Sequence, residues 1–372
     1  MKLTIERGAL LKSLGHVQNV VERRNTIPIL SNVMLEAGSN ALGLTATDMD
    51  LTIIERVPVS VGTGGAATVP AHTLYDIVRK LPEGSQVEID GGGEGSQATV
   101  RAGRSKFNLP TLPREDFPAT AGGELPHRFS LPAKDLRSLI DRSRFAISTE
   151  ETRYYLNGIY LHVAEDKGGA HLRAVATDGH RLARVEMEVP KGAGGMPGVI
   201  VPRKTVGELR KLIEETEEPI EIALSESRIR FAFDSVTLSS KLIDGNFPDY
   251  QRVIPVGNDK SMTVDRRMFA EAVDRVSTIA SEKSRAVKLS LKKNSMVLSA
   301  SSPENGSASE ELEVGYGGSP IEIGFNARYL LDITAQLQGT EAEFKLADAA
   351  SPTLLGDAAD STALYVLMPM RV

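Results

Sequence analysis

The chain has no cysteine and no tryptophan, and aromatic residues make up only 5% of its sequence. The lack of cysteine excludes disulfides, thiolate nucleophiles and zinc sites built on cysteine. Because large aromatic side chains are scarce, the core must be built mainly from aliphatic residues. The absence of cysteine also fits a reducing compartment, where structural disulfides are rare.

Long apolar runs and a strong positive charge are missing as well. No stretch approaches the roughly 18 apolar residues that cross a membrane, and charges occupy the N-terminal segment where a signal peptide is apolar. We therefore expect a soluble, cytoplasmic protein. The net charge of −6 argues against a simple basic DNA-binding domain, provided that charge is spread evenly. A chain of 372 residues predicts two or three domains.

A helical pattern recurs in each third of the chain. Residues 69–81 place apolar side chains at helical spacing after Pro70, and residues 201–213 repeat this after Pro202. Residues 324–337 give a third version, with Asn326 as the predicted N-cap. A longer amphipathic helix is predicted near the start of each third, with these buried positions: Leu10, Leu14, Val17 and Val21; Leu136, Leu139, Ile140 and Ile147; Phe269, Val273, Val276 and Ala280.

Short strand-like segments repeat together with the helices. Residues 42–48 resemble residues 172–178, and residues 297–302 are a fainter third copy. Alternating patterns at residues 86–90, 228–233 and 341–345 also predict strands. Turn-rich linkers are predicted at residues 116–124 and 246–259, each with a Phe-Pro pair. The sequence therefore predicts an α+β fold of three tandem repeats, each with two helices and roughly eight short strands.

Positive charge is concentrated in the predicted helices. Four of the six helical windows are net positive and two are neutral, so the rest of this acidic chain carries a negative excess. Lys134, Arg137, Asp141 and Arg144 are spaced to share the helix face opposite the leucines. A basic helix surface attracts phosphates, and no base-reading motif is present. The pattern favours sequence-independent contact with a nucleic-acid backbone.

The final residues, Tyr365-Val-Leu-Met-Pro-Met-Arg-Val372, combine a strand-like run with a proline that cannot continue a sheet. Methionine side chains adapt to ligands of varied shape. A frayed last strand is the simpler interpretation of such an ending. Taken with the rest of the chain, the pattern favours a surface that binds partners.

Five segments carry a resemblance that covers essentially the whole chain: residues 153–158, 176–183, 201–204, 244–250 and 365–371. With these motifs the chain resembles the bacterial β sliding clamps, the processivity subunits of DNA polymerase III. The resemblance implies three clamp domains, at residues 1–122, 127–250 and 251–372, and head-to-tail pairing of two chains into a ring. Helices would line the hole, and twelve helices of ~10 Å diameter enclose roughly 30 Å, enough for duplex DNA.

The resemblance also implies functional residues, beginning with contacts to DNA at Arg24, His72, Glu150, Tyr154 and Tyr155. Two of these depart from the expected chemistry, since His72 replaces a more permanent cation and Glu150 adds a negative charge near phosphate. The tyrosines are suited to stacking on single-stranded bases. Helix charge by itself favours a further set of phosphate contacts: Arg203, Lys204, Arg7, Lys12 and Arg137.

A partner-peptide groove and a dimer interface follow from the same resemblance. The groove would receive a short motif containing glutamine and leucine, and its matching residues are Leu156, Thr177, Gly179, His180, Arg181, Leu182, Pro248, Arg252, Val253, Tyr329, Val366, Leu367, Met368, Pro369, Met370 and Arg371. In the dimer, apolar Phe107 and Leu109 would meet Thr278 and Ile279. The basic residues Arg104 and Lys106 would face acidic ones, namely Glu304, Glu310 and Glu311.

The implied activity is tethering of the replicative polymerase and other replication and repair proteins to duplex DNA. Implied partners are double-stranded DNA, a second copy of the chain, the clamp loader, and the DNA polymerase III α subunit with other proteins that carry the clamp motif. The resemblance implies a non-catalytic protein of the cytoplasm, associated with the nucleoid, that needs no cofactor or metal and binds no membrane.

Two alternatives compete with this interpretation. An enzyme would have to use Asp178 and His180 as an acid/base pair, but Gly179 between them predicts a turn and no partnered nucleophile is visible. A three-repeat scaffold that does not bind DNA is the other alternative. The glycine-rich residues 91–95 join two strand-like segments, which predicts a hairpin loop rather than a phosphate-binding loop.

Overall fold

The computed structural model describes residues 1–91, 97–119, 122–166, 168–281 and 285–372. Within these residues the chain forms six α-helices and 26 strands, in an order that repeats three times. Each third opens with a strand and a helix, passes through four or five strands to a second helix, and ends with three strands. This order confirms the predicted α+β class and the threefold repeat.

The helices are α1 (Arg7–Gln18), α2 (Ala71–Lys80), α3 (Ala133–Asp141), α4 (Arg203–Leu212), α5 (Arg266–Ser277) and α6 (Ala327–Thr334). Asn326 caps α6 as predicted, because its side chain accepts hydrogen bonds from the first backbone amides of the helix. The opening helices are shorter than predicted, so that Val21, Ile147 and Ala280 are buried beyond their ends. Arg144 begins a separate short 3₁₀ turn and does not share a helical face with Lys134.

The strands of the first third are β1 (Lys2–Glu6), β2 (Asn32–Gly38), β3 (Ala41–Thr47), β4 (Leu51–Pro58), β5 (Ser60–Thr63), β6 (Gly65–Pro70), β7 (Gln86–Asp90), β8 (Gln97–Ala102) and β9 (Ser105–Pro110). Those of the second are β10 (His127–Leu131), β11 (Gly158–Asp166), β12 (Gly169–Thr177), β13 (Arg181–Glu188), β14 (Val199–Pro202), β15 (Ile220–Leu224), β16 (Arg228–Phe233) and β17 (Val236–Lys241). The last third contains β18 (Lys260–Asp265), β19 (Ala286–Lys292), β20 (Ser295–Ser302), β21 (Gly306–Glu313), β22 (Gly315–Tyr316), β23 (Ile321–Asn326), β24 (Glu341–Leu346), β25 (Thr353–Asp357) and β26 (Asp360–Leu367).

The first of two compact units comprises Met1–Leu136, Pro190–Met196 and Lys204–Leu242. It contains a five-stranded sheet, β5-β1-β7-β8-β9, and an eight-stranded sheet, β10-β15-β16-β17-β4-β3-β2-β6. The larger sheet is continuous across two thirds of the chain, because β17 pairs antiparallel with β4. Helices α1 and α2 pack on each other and on this sheet, with the leucines and valines of their apolar faces buried.

The second unit comprises Arg137–Val189, Pro197–Arg203 and Ile243–Val372. It contains a nine-stranded sheet, β14-β11-β12-β13-β26-β25-β24-β18-β22, and a four-stranded sheet, β21-β20-β19-β23. Here β13 pairs antiparallel with β26, so the second and last thirds again share one sheet. Helices α5 and α6 pack on each other, and α5 also covers strands of the four-stranded sheet.

The two units therefore divide the second third between them, since each unit is built around a sheet that joins neighbouring repeats. We call the β4–β17 pairing the first junction and the β13–β26 pairing the second junction. Part of the glycine-rich loop and part of the first predicted linker lie outside the described residues. Among the helices that the structure describes, none is long and apolar enough to cross a membrane.

Candidate functional site

A tight turn connects β12 to β13 at the second junction, and hydrogen bonds from its own side chains hold it. The amide of Gly179 donates to Thr177 Oγ1 at 3.1 Å, and the Thr177 hydroxyl donates to the Arg181 carbonyl at 2.7 Å. Asp178 Oδ1 accepts from the amides of His180 and Arg181 at 2.9 and 3.0 Å. Gly179 has a φ of 88°, which confirms the predicted turn. The Asp178 carboxylate is thus bound to the backbone rather than to the His180 ring.

Arg181 is the centre of the interactions beneath this turn, with only 9% of its side chain exposed. Its Nε donates to Asp178 Oδ2 at 3.1 Å, Nη1 to Asp332 Oδ2 at 2.6 Å, and Nη2 to the Phe145 carbonyl at 2.7 Å. The guanidinium also lies 4.2 Å from the centre of the Tyr329 ring. A buried arginine with this many partners is rigid, so it fixes the position of the ring above it.

The C-terminal tail, Met368 to Val372, is anchored across the same turn. Strand β26 ends at Leu367, as the proline predicts, and the Met368 amide then donates to the His180 carbonyl at 2.9 Å. Further on, the Met370 amide donates to the Gly324 carbonyl at 2.8 Å. A Cβ at Gly324 would collide with the Val372 side chain and lie 2.7 Å from the Met370 carbonyl oxygen. Glycine is therefore required at this position, and the tail is packed rather than frayed.

The floor below the tail is an apolar cluster of Val175, Leu182, Tyr250 and Val366. Rings reinforce it from one side, since Tyr160 stacks between Phe247 and His162 at centroid distances of 4.8 and 4.5 Å. The Tyr250 hydroxyl lies 3.0 Å from His162 Nε2. Burial lowers the pKa of His162, so its ring is neutral at physiological pH.

Exposed apolar groups line the rim. Val253 is 49% exposed and Met368 is 40% exposed, both high for large apolar side chains. Arg252 is exposed nearby and pairs with Asp249 at 2.8 Å. Burial raises the pKa of Tyr329, which keeps its hydroxyl protonated. The rim thus offers an apolar surface with a few polar groups, the chemistry of a peptide-binding groove.

Most of the predicted groove residues meet in this unit, in two different roles. Those at the surface are Gly179, His180, Pro248, Arg252, Val253, Tyr329, Met368, Pro369, Met370 and Arg371. Those that support the surface from within are Thr177, Arg181, Leu182, Val366 and Leu367, while Leu156 is buried at the end of a 3₁₀ segment.

Sequence reasoning assigned no role to Arg153, Asp332 or Phe145. A Cβ at Gly179 would collide with the Arg153 guanidinium, so these two residues are in close contact. The position of Asp332, one helical turn after Tyr329 on α6, was the available signal for its role. Arg153 and Phe145 could not be found from spacing, because they come from segments that fold back on the turn.

The residues predicted to contact DNA from the segment before β11 form a small cluster. Glu150 accepts two hydrogen bonds from Arg153, at 2.6 and 2.8 Å, and these hold the pKa of the Glu150 carboxyl below its usual range. Tyr154 is 53% exposed and meets Tyr155 edge to face at 5.8 Å. The negative charge of Glu150 is therefore balanced within the chain, and the outer tyrosine is accessible.

The basic candidates differ in their exposure and in whether they already form ion pairs or hydrogen bonds within the chain. Arg24 and Arg203 are exposed, and neither side chain has an ion-pair or hydrogen-bond partner among the described residues. Lys12 forms an exposed pair with Glu215 at 3.7 Å. Arg137 is half-buried on α3. By exposure, Arg24 and Arg203 are the cations best suited to contact phosphate.

Three other candidates are engaged inside their own unit. Arg7 donates to two backbone carbonyls at the end of α2, at 3.1 and 2.6 Å. Lys204 pairs with Asp48 and with Glu22. Both ring nitrogens of His72 lie within hydrogen-bond distance of oxygen atoms from α1 and the residues after it, at 2.9 and 2.8 Å. Of the two residues predicted from charge on α4, Lys204 is therefore already paired, whereas Arg203 has no such partner among the described residues.

Most of the predicted dimer residues lie on or beside two strands at sheet edges, and two others follow α5. Phe107 is half-buried on β9, whereas Leu109 is 5% exposed and belongs to the core of its own sheet. Arg104 and Lys106 are exposed beside it, and on β21 or the turn before it are the acidic candidates Glu304, Glu310 and Glu311. Thr278 is exposed and Ile279 half-buried just after α5. Glu310 is already paired with Arg275 at 2.6 Å.

Family comparison assigns all three thirds of the chain. Residues 1–121, 130–249 and 251–371 match the N-terminal, central and C-terminal domains of the DNA polymerase III beta subunit. The chain belongs to the DNA polymerase III beta subunit family. Its relatives include a beta sliding clamp of Caulobacter vibrioides, 55% identical over 372 residues, with both chains covered completely.

Solved structures of the beta subunit family share this fold throughout. A Caulobacter crescentus beta sliding clamp with bound PEG gives a TM-score of 0.98 at 55% identity, covering 100% of this chain and 99% of that one. A Bartonella birtlesii sliding clamp bound to griselimycin gives a TM-score of 0.97 at 52% identity, with both chains fully covered. These comparisons confirm the family resemblance and the three tandem clamp domains. They favour a DNA sliding clamp over a scaffold that does not bind DNA.

Among the residues that the structure describes, no group of three or more histidine, aspartate or glutamate side chains could hold a metal ion.

Proposed function

We propose that this chain is a non-catalytic sliding clamp, in which two copies close head to tail around duplex DNA and tether other proteins to it. The observation that carries the proposal is the C-terminal tail anchored on the Thr177–Arg181 turn at the second junction, in a chain related to sliding clamps over its full length. The tether needs no base recognition, so sequence-independent contact is sufficient.

The groove is suited to a short peptide with apolar side chains. Val253 and Met368 present exposed apolar surface, and Tyr329 adds a rigid ring with a polar tip. Because methionine adapts its shape, one groove accommodates motifs from several proteins. The partners proposed for it are the clamp loader, the DNA polymerase III α subunit and other proteins with a glutamine- and leucine-containing motif.

Ring closure is supported by two sheet edges of opposite charge. Strand β9 is an edge strand with Lys106 exposed, and β21 is an edge strand with Glu311 exposed. Unpaired strand edges readily accept a further antiparallel strand. Antiparallel pairing of β9 from one copy with β21 of the other would extend both sheets and place Phe107 near Ile279. Since Leu109 is committed to its own core, we expect charge to contribute much of this contact.

We expect the contact with DNA to be weak, because tight binding would prevent sliding. The acidic net charge limits non-specific attraction, and among the residues predicted to contact DNA, Arg24 and Arg203 are exposed cations without partners in the described part of the chain. Tyr154 is available for stacking on a single-stranded end. Such a protein would work in the cytoplasm, at the nucleoid, without a cofactor.

Topological binding is tested by loading the labelled full-length protein onto nicked circular DNA with a bacterial clamp loader. Gel filtration should recover protein with the circle, and cutting the circle once should release it. Protein that stays on the linear product without blocked ends would overturn the ring proposal. A parallel measurement of mass in solution should give a dimer.

Added salt should loosen the dimer. Screening shortens the reach of surface charges from about 30 Å at 0.01 M to about 3 Å at 1 M ionic strength. Sedimentation across this range should show a rising monomer fraction, and Lys106→Ala should reduce the dependence on salt. A dimer equally stable at both extremes would contradict the charge-based interface.

A further inference from the structure

The first junction repeats the backbone of the groove turn. The Thr47 hydroxyl donates to the Leu51 carbonyl at 3.0 Å and accepts from the Met49 amide at 3.1 Å. Asp48 Oδ1 accepts from the amides of Asp50 and Leu51 at 3.0 and 2.7 Å. These are the bonds that hold residues 177–181 at the second junction. The bond from the neighbouring segment is repeated as well. The Lys241 amide donates to the Asp50 carbonyl at 2.8 Å, as the Met368 amide donates to the His180 carbonyl at the second junction.

Met49 takes the place of Gly179 in this turn and keeps its left-handed backbone, with a φ of 81°. Such a conformation is costly for any residue with a side chain, and strain of this kind accumulates at functional sites. Its side chain is 51% exposed, although methionine is usually buried. A strained backbone and an exposed apolar side chain together point to a binding role.

A groove of about 410 Å³ lies beside Met49 on the open face of the eight-stranded sheet. Its charged lining residues are Asp50, Arg228, Arg230 and Lys241, a net positive set in a chain of net charge −6. Lys241 pairs with Asp50 at 2.9 Å, whereas Arg230 is half-buried and has no ion-pair or hydrogen-bond partner within the described part of the chain. The groove therefore offers positive charge that the protein itself does not neutralise.

We propose that this first-junction groove is a second docking site, which takes an extended acidic peptide with an apolar side chain. Carboxylates of the peptide pair with Arg230 and its basic neighbours, and the apolar side chain packs on Met49 and Ile54. The hydroxyl groups of Thr52 and Ser239, which also line the groove, satisfy peptide polar groups. The site shares no residue with the tail-anchored groove. It favours peptides rich in acidic residues, whereas the tail-anchored groove favours peptides with mainly apolar side chains.

Acidic peptide is favoured over nucleic acid as the occupant for two reasons. Sites for single-stranded nucleic acid stack bases on aromatic rings. The described lining residues of this groove include no aromatic side chain. They do include the exposed side chain of Met49, an apolar group that a phosphate backbone would leave unused.

The test uses full-length protein and a fluorescein-labelled peptide of repeated Glu-Glu-Leu units, followed by anisotropy at low salt. We expect saturable binding that is about tenfold weaker in Arg230→Glu, because a charge pair is replaced by repulsion. Met49→Gly should also weaken binding while easing the backbone strain, so the two variants do not share a folding defect. Arg252→Glu, at the other groove, is the matched control and should bind like the unmodified protein.

Competitors separate the remaining outcomes. An excess of unlabelled glutamine- and leucine-containing motif peptide should leave the Glu-Glu-Leu signal unchanged. Displacement by that motif peptide, loss of binding in Arg252→Glu, or no saturable binding to the unmodified protein would each overturn the proposal. Equal binding of a Glu-Glu-Ser peptide would remove the role of Met49. Oligothymidylate binding through Arg230, in place of acidic peptide, would assign the groove to nucleic acid instead.

Discussion

The turns at the two junctions have the same backbone hydrogen bonds, but different charged side chains bind their aspartates. At the second junction the charge on β13 is Arg181, 9% exposed and bound to Asp178, Asp332 and a carbonyl. At the first junction Asp48 is instead bound by Lys204 from α4, whose side chain is 37% exposed. Burial opposes the charge on Lys204, but its hydrogen bond to Asp48 raises the pKa of the ammonium group. The turn at the second junction is therefore bound by a buried arginine, and the turn at the first junction by a partly exposed lysine.

This difference shows how a repeated scaffold acquires separate surfaces. The Thr-Asp turn is reproduced because its hydrogen bonds come from residues within the turn itself. Its surroundings differ because residues 368–372 cross the turn at the second junction, whereas at the first junction the chain after β17 enters the linker to the last third. The tail is anchored at Gly324 and still presents Met368 at the rim, whereas the linker after β17 leads to the next strand.

Removing residues 368–372 should give the largest effect and separate the junctions completely. Strand β26 ends at Leu367, so the sheet should remain intact while the groove loses its wall. We expect affinity for the glutamine- and leucine-containing motif peptide to fall by about 100-fold or more, since a wall of the groove supplies much of the binding energy. Calorimetry measures this loss. Unchanged affinity would show that the tail does not form the groove, and binding of the acidic peptide should be unaffected.

Removing one carboxylate partner of Arg181 and one of Lys204 should show which of these two cations depends more on its ion pairs. Asp332→Ala leaves a guanidinium group of Arg181 short of a partner, and we expect about 2 kcal/mol lower free energy of unfolding. Glu22→Ala removes an exposed partner of Lys204 and should cost less than about 1 kcal/mol. Urea unfolding of both variants measures the contrast. Equal losses would mean that the two turns are supported alike.

Exchanging the residues at the left-handed position should change stability in opposite directions. Gly179→Ala forces a Cβ against Arg153 at a φ of 88°, and we expect it to cost about 1–2 kcal/mol. Met49→Gly removes a side chain from the same backbone conformation and should stabilise the protein by up to about 1 kcal/mol. Thermal unfolding of both variants tests this. Destabilisation by Met49→Gly would show that packing of the methionine outweighs its backbone strain.

Acid should lower the stability of the unit that contains His162 slightly. Because burial lowers the pKa of His162 from the ordinary value of 6.5, the unfolded chain binds a proton that the folded chain does not bind just below that pH. Stability should therefore fall as the pH drops below about 6.5. His162→Phe should flatten this slope between about pH 6.5 and 5 while leaving other acid-sensitive groups in place. An identical slope in the variant would exclude His162 as the cause.

The sequence predicted the elements that depend on local pattern. Apolar spacing predicted the six helices that the structure describes. Asn326 was predicted to be the N-cap of α6, and Pro369 predicted the end of the last strand. Helix ends were less certain, because Ile147 and Ala280 are buried by neighbouring segments after their helices have stopped. Charge counting found basic helices, but it could not tell that Arg7 caps α2 or that Lys204 is held by Asp48.

By itself the sequence determined the threefold repeat, the α+β class and the self-contained Thr-Asp turns, since each depends on residues that are close along the chain. Tertiary structure decided which strands of neighbouring repeats join one sheet, which arginine is buried, and where Arg153, Phe145 and Asp332 meet the Thr177–Arg181 turn. Those outcomes depend on contacts between residues far apart in sequence. Burial and pairing then set the availability of each charge, and neither is encoded by residue type alone.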